Sequence, residues 1–135
     1  MKQNKSSYER KDLHKSSDPR KRLGVGGEDI ACRYLEEKGC LIIDRNVRYK
    51  MGELDIVAID KNRLCFIEVK TRHSLAYGRP SLAVDYKKQR TIRRLAELYI
   101  KTHPKYAYLS PRIDVIELLI LEDGKKYINH IKSAF

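Results

Sequence analysis

The chain has little of what would place it in a membrane or outside the cell. No apolar run approaches the roughly 20 residues that a membrane span needs. The N-terminus lacks the apolar stretch of a signal peptide. The three cysteines, Cys32, Cys40 and Cys65, are odd in number and show no paired metal-ligand spacing. They read as reduced, half-buried thiols of a cytoplasmic protein. His14, His73, His103 and His130 are scattered, which speaks against a zinc site. No cysteine has a base near it in sequence, which speaks against a thiol nucleophile. Acids are the scarcer charge, with 18 Asp and Glu against 29 Lys and Arg, for a net charge of +11. That balance suits nucleic acid or an anionic membrane. With no span, nucleic acid is the partner expected.

What is present suits one domain. The chain has 135 residues, 41% of them hydrophobic, enough to form a core. Residues 1–23 carry eight Lys and Arg against three acids, and the remainder carries 21 against 15. The globular part is therefore basic in its own right. Residues 1–22 read as a flexible basic tail, and residues 23–135 as the domain. A solubilising role for the tail is favoured over a phosphate-touching arm.

Periodicity predicts a helix over residues 23–38, with Gly39 as its C′ residue. Strands are predicted over 40–48, 52–59 and 64–70. A loop over 73–81 contains Gly78 and Pro80. A second helix over 83–101 stops before His103-Pro104, with Ile92, Leu95, Ala96 and Tyr99 as its apolar stripe. Strands over 112–121 and 125–131 flank a turn at Glu122-Asp123-Gly124. The order is helix, three strands, helix, two strands, which gives an α/β mixed sheet flanked by helices. Gly24 to Gly27 is glycine-rich but follows no strand, so it is a weak nucleotide loop.

The chemistry concentrates on the hairpin of the second and third strands. If it turns on Lys61-Asn62, Asp55 faces Glu68 and Glu53 faces Lys70. All four then project from one face with Val57, Ile59, Leu64 and Phe66. The other face carries Leu54, Ile56, Ala58, Cys65, Ile67 and Val69 and no charge. Acids on a covered face need compensation, and a divalent cation would supply it. Asp55 and Glu68 could share such an ion, Mg²⁺ or Mn²⁺, as hard oxygen donors. Lys70 could orient a water or stabilise charge on a phosphate. The bland alternative is a salt-bridge cluster at a sheet end. Glu53, opposite Lys70, reads as the partner that restrains the lysine.

Glu28 has Ala31, Cys32 and Leu35 at i+3, i+4 and i+7, so it should face the sheet. Its partner there would be a metal ion or Lys70; the even alternative is an acid near a helix N-terminus that suits the helix dipole. Lys88 and Gln89 open the second helix and could reach a phosphate or a water, although a solvated first turn is as good a reading. Lys87, Arg90, Arg93, Arg94 and Lys101 form a basic ridge suited to backbone phosphates. Asp114 and Arg112 read as a buried pair that holds the sheet.

Read in order, these residues resemble a known pattern. Gly27-Glu28, Ala31, Tyr34-Leu35, Gly39 and Arg45-Asn46-Val47-Arg48 are followed by Gly52-Glu53-Leu54-Asp55-Ile56-Val57. Phe66-Ile67-Glu68-Val69-Lys70-Thr71-Arg72, Lys88-Gln89 and Arg112-Ile113-Asp114-Val115 complete it. The chain resembles the YraN-type uncharacterised family, within the PD-(D/E)xK nuclease superfamily. That resemblance implies a restriction-endonuclease-like core, ligation of one or two Mg²⁺ or Mn²⁺ ions by Asp55 and Glu68, and Lys70 as catalytic lysine. Glu28 would match the helix-borne glutamate of archaeal Holliday-junction resolvases, and Arg72 of the motif joins the nucleic-acid contacts. The expected function is a metal-dependent endonuclease on DNA, branched or damaged forms included. A homodimer would suit paired cuts. The alternative is a non-catalytic nucleic-acid-binding accessory protein that retains the fold.

Overall fold

The computed structural model describes residues 19–73 and 84–135. The basic tail up to residue 18 and most of the predicted 73–81 loop lie outside the described residues. Helix α1 spans Pro19–Glu37, so its first turn falls inside the stretch read as tail. Strands β1 (Leu41–Tyr49), β2 (Gly52–Asp60) and β3 (Arg63–Arg72) follow. Helix α2 (Tyr86–Thr102) leads through a short 3₁₀ turn, Pro104–Tyr106, to β4 (Ser110–Ile120) and β5 (Lys126–Ile131).

The ends of the helices follow from local chemistry. Gly39 adopts φ 93°, Cys40 N–H donates to the Leu35 carbonyl at 2.9 Å, and Gly39 N–H donates to that of Glu36 at 3.0 Å. This paired pattern uses carbonyls the helix end leaves over, and needs a residue tolerant of positive φ. At the start of α2 the Asp85 carboxylate accepts from Lys88 N–H at 2.8 Å. That cap sets the helix start three residues later than the apolar periodicity suggests.

One five-stranded sheet runs in the order β1-β2-β3-β4-β5. Only β3 and β4 pair parallel, because α2 carries the chain between them. Two apolar layers cover the sheet. On one side Ala31, Cys32 and Leu35 of α1 pack on Ile56, Ala58, Cys65, Ile67, Ile116 and Leu118. On the other, Ile92, Leu95, Ala96 and Tyr99 of α2 pack on Leu54, Val57, Leu64 and Phe66. The Asp114 carboxylate holds the far end, accepting from Arg112 at 2.9 Å twice, from Ser133 N–H at 3.1 Å, and lying 2.8 Å from His130 Nε2. The structural reading of Arg112 and Asp114 is borne out.

Candidate active site

The hairpin keeps the expected register over its apolar part. Asp60 pairs with Arg63 and Ile56 with Ile67, so the turn is Lys61-Asn62. The left-handed residue in it is Lys61, at φ 57°, rather than Asn62. Pairing then stops: Asp55 does not pair with Glu68, nor Glu53 with Lys70. Asp55 sits where the strands part, and its Oδ2 accepts from Val69 N–H at 2.9 Å. An uninterrupted ladder would give that amide to the Leu54 carbonyl. The side chain has taken a backbone place.

The parting also overturns the single-face expectation. Leu54 packs in the α2-side layer with Val57, three residues on, so strict alternation fails between them. On β1, directly across, Asn46 adopts φ 53° and breaks that strand's alternation too. Glu53 and Asp55 are thereby brought to Glu28 of α1, and one carboxylate oxygen from each of the three lies within 4.8 Å of the others.

Glu28 does face the sheet, as its helical position requires. Its partners are Arg45, 3.7 Å away, and the Asn46 side chain, rather than Lys70. Arg45 is fully buried and also pairs with Asp29 at 2.8 Å. Burial pushes the Glu28 carboxyl up to about 7 against the pull of Arg45. Asp55 is pushed up to about 8, first by burial and then by the charge of Glu68, with the Val69 amide opposing. Glu53 forms its ion pair with Arg48, at 3.1 Å across β1 and β2, so the expected restraint on Lys70 is not made.

Glu68 is buried and lies on the α2 side. Its Oε2 is 3.6 Å from Lys70 Nζ and 3.7 Å from Lys88 Nζ. The lysine expected to be restrained by Glu53 is therefore held by Glu68, and Lys88 reaches the site rather than solvent alone. Gln89 is turned back toward the segment that leads into α2, donating to the Val84 carbonyl at 3.2 Å.

Two residues escaped the sequence reading. Arg45 stood in the family-like motif but had no assigned role. Glu117, 1% exposed, pairs in parallel register with Lys70, which puts both side chains on one face. Asn129 donates to its Oε1 at 2.9 Å, while its Oε2 has no hydrogen-bond partner among the described residues. The available signal was a lone acid in the apolar run from Val115 to Ile120.

The basic ridge divides. Lys87, Arg90, Arg94, Thr91 and Met51 line a groove of about 230 Å³ between α2 and the β1–β2 turn. Arg93 instead lies over the Phe135 ring, 5.7 Å from its centroid, and faces another groove. Arg72 is half-buried at the end of β3, beyond Lys70.

The class of protein is thus an α/β domain with a mixed five-stranded sheet between two helices, consistent with a restriction-endonuclease-like fold. The chain belongs to Uncharacterised protein family UPF0102, whose pattern matches residues 27–118. It is 47% identical over 117 residues to a UPF0102 protein of Alkaliphilus oremlandii, covering 85% of this chain and 98% of that one. A UPF0102 protein of Caldanaerobacter subterraneus subsp. tengcongensis is 41% identical over 118 residues, covering 86% and 96%. One of Clostridium botulinum is 44% identical over 119 residues, covering 85% and 94%. Among the described residues no helix is long and apolar enough to cross a membrane.

Proposed function

We propose that this protein is a metal-dependent endonuclease of the PD-(D/E)xK superfamily that hydrolyses phosphodiester bonds in DNA, branched or damaged forms included. The observation that carries this reading is the Asp55 carboxylate, set in the gap between β2 and β3. There it lies in one ligand-sized group with Glu28 and Glu53, and in the field of Glu68. Burial and mutual repulsion raise the carboxyls of Asp55 and Glu28 together. A group arranged this way costs folding energy unless a cation offsets it.

The donor set fits hard divalent ions. Asp55, Glu28 and Glu53 would hold one Mg²⁺ or Mn²⁺, with Glu68 beside them able to serve it or a second ion. Such an ion, when bound, supplies charge neutralisation and a more acidic water. The chain's own residues do the rest. Glu68 fixes the Lys70 ammonium, which can orient a water or offset charge on the phosphate as it is attacked. Lys88, anchored on the same carboxylate, adds a second cation on the approach from α2. Lys87, Arg90 and Arg94 offer a backbone-phosphate path beside the site, with Arg72 at the β3 end. Paired cuts would require two copies.

The test is cleavage of single-stranded, duplex, flap and junction DNA by purified protein with Mn²⁺. Cleavage abolished by chelator, by Glu68→Ala and by Lys70→Ala is the expected result. If no substrate is cut, or Lys70→Ala cuts as well as the parent, the enzyme reading fails. Salt-sensitive binding without cleavage, indifferent to chelator and to Glu68→Ala, would instead identify an accessory binder.

A further inference from the structure

A cavity of about 500 Å³ lies at the other end of the sheet from the acids. It opens beside the β2–β3 turn, five residues and about 17 Å along β2 from Asp55. Lys38, Lys61, Arg63, Arg112 and Lys132 line it, and Asp60 is its only acid. The arginines are already committed. Arg63 donates to the Ser110 and Pro111 carbonyls at 3.2 and 2.9 Å. Arg112 pairs with Asp114 at 2.9 Å and with Asp60 at 3.0 Å, which uses the charge of Asp60. Lys38, Lys61 and Lys132 form no ion pair with an acid among the described residues, although four other exposed or half-exposed cations do. Lys38 Nζ lies over the Tyr34 ring, 5.9 Å from its centroid, in the cavity wall.

The backbone adds a second observation. Lys61 takes the left-handed position of the turn, at φ 57°. A lysine there costs about 1 kcal/mol that a glycine would not. This strained turn puts a lysine in the lining of the cavity. In the wall behind it, the Tyr34 hydroxyl lies 3.1 Å from His130 Nδ1, and His130 Nε2 is anchored on Asp114. Three lysines around one cavity repel one another, and a compact anion among them would turn that repulsion into attraction. The volume falls within the range of small-ligand sites.

We propose that this cavity is a phosphate-binding site, separate from the carboxylate centre, that takes a phosphate monoester. The monoester comes either from a free small molecule or from the terminal phosphate of a nucleic-acid strand. Lys38, Lys61 and Lys132 provide the charge. Their side chains are exposed, so they can be changed without disturbing the core.

The experiment is calorimetric titration of the full chain with inorganic phosphate, adenosine monophosphate, and a trinucleotide with or without a 5′-phosphate. Saturable binding is expected, with the His130 ring resonances shifting on titration. Lys61→Glu and Lys132→Glu should each weaken it about tenfold while leaving the melting temperature in place. Lys125→Glu, on the remote β4–β5 turn, should leave it unchanged. Preference for the monophosphate assigns a free ligand, and preference for the phosphorylated trinucleotide over its unphosphorylated form assigns strand ends. The proposal is overturned if no probe saturates below about 10 mM, or if Lys125→Glu weakens binding as much as Lys61→Glu. Because it does not involve the carboxylates, it stands or falls apart from the nuclease reading: Glu68→Ala should leave this binding intact.

Discussion

Asp55 shows how one residue ties fold stability to proton and cation. Its carboxyl is raised to about 8, above its ordinary value of 3.8. The folded chain therefore binds that proton more tightly than the unfolded chain does. The contribution to stability is fully present below the ordinary value and is lost as pH rises through about 8. Glu28, raised to about 7, acts in the same direction. Asp114 is lowered, once its hydrogen bonds from His130, Arg112 and Ser133 outweigh burial, so its contribution fails only in acid. Between about pH 5 and pH 8.5 the first pair should dominate, and the metal-free protein should melt lower as pH rises. In Asp55→Asn, which can still accept from Val69 N–H, that slope should flatten and the melting temperature at about pH 8.5 should rise by about 5 °C. Thermal melts of both proteins in chelator, repeated with Mg²⁺, measure it. A parent protein whose melting is unaffected by pH would refute the electrostatic account. At this scale Glu28 and Glu68 were legible, because an acid at a core-facing position is visible from periodicity; Asp55 and Lys70 were singled out on the same hairpin, but the face taken by Asp55 was not foreseen. Nor were their partners. That Glu53 would turn to Arg48, and Glu28 to Arg45 and Asn46, depends on a break in pairing that alternation does not reveal.

At the scale of elements, the site depends on how close α1 lies to the sheet. A Cβ at Gly27 would run into the Thr71 hydroxyl of β3, with Leu118 just behind. Glycine here permits a close approach, and the next residue is Glu28. Gly27→Ala should push this part of α1 outward, cost about 1–3 kcal/mol of stability, and draw Glu28 away from Asp55. On the nuclease reading, cleavage should fall more than stability does, and the concentration of Mn²⁺ giving half-maximal activity should rise. Gly26→Ala, where a Cβ meets nothing within 4 Å, is the matched control. Equal effects of the two would show that helix propensity, rather than approach, is responsible. The elements themselves were largely legible, including the α1 end at Gly39, the two-residue turn and the mixed character of the sheet, although not which strands pair parallel. Those follow from periodicity, one positive-φ residue and a helical crossover. The start of α2 was missed because a single capping carboxylate, Asp85, outweighs a helical pattern that continues upstream. The face of β2 was misjudged at Leu54 because splaying strands are a tertiary event.

At the scale of the whole molecule, charge is divided by place. Acids gather where β2 and β3 part, while exposed cations with no acid partner among the described residues lie along α2 and around the cavity at the opposite sheet end. A net charge of +11 alone would attract polyanions to any face. The groove of Lys87, Arg90 and Arg94 makes a narrower prediction, because it opens at the β1–β2 turn that leads into Glu53 and its cations are exposed. Each phosphate left without its cation takes about 0.9 off the slope of log affinity against log salt on duplex DNA, or about 0.7 on single strands. Replacing all three by alanine should therefore lower that slope by about 2–3 on duplex DNA. Arg93→Ala, whose guanidinium lies over Phe135 in another groove, should leave it almost unchanged. Binding should be measured in Ca²⁺ or chelator over a range of salt, to separate affinity from cleavage. If Arg93→Ala lowers the slope as much as any one of the three, the polyanion sees only net charge. If the triple variant alone flattens the slope, strands run along α2 to the β1–β2 turn, and on the nuclease reading that path leads a phosphodiester toward Glu53 and Asp55.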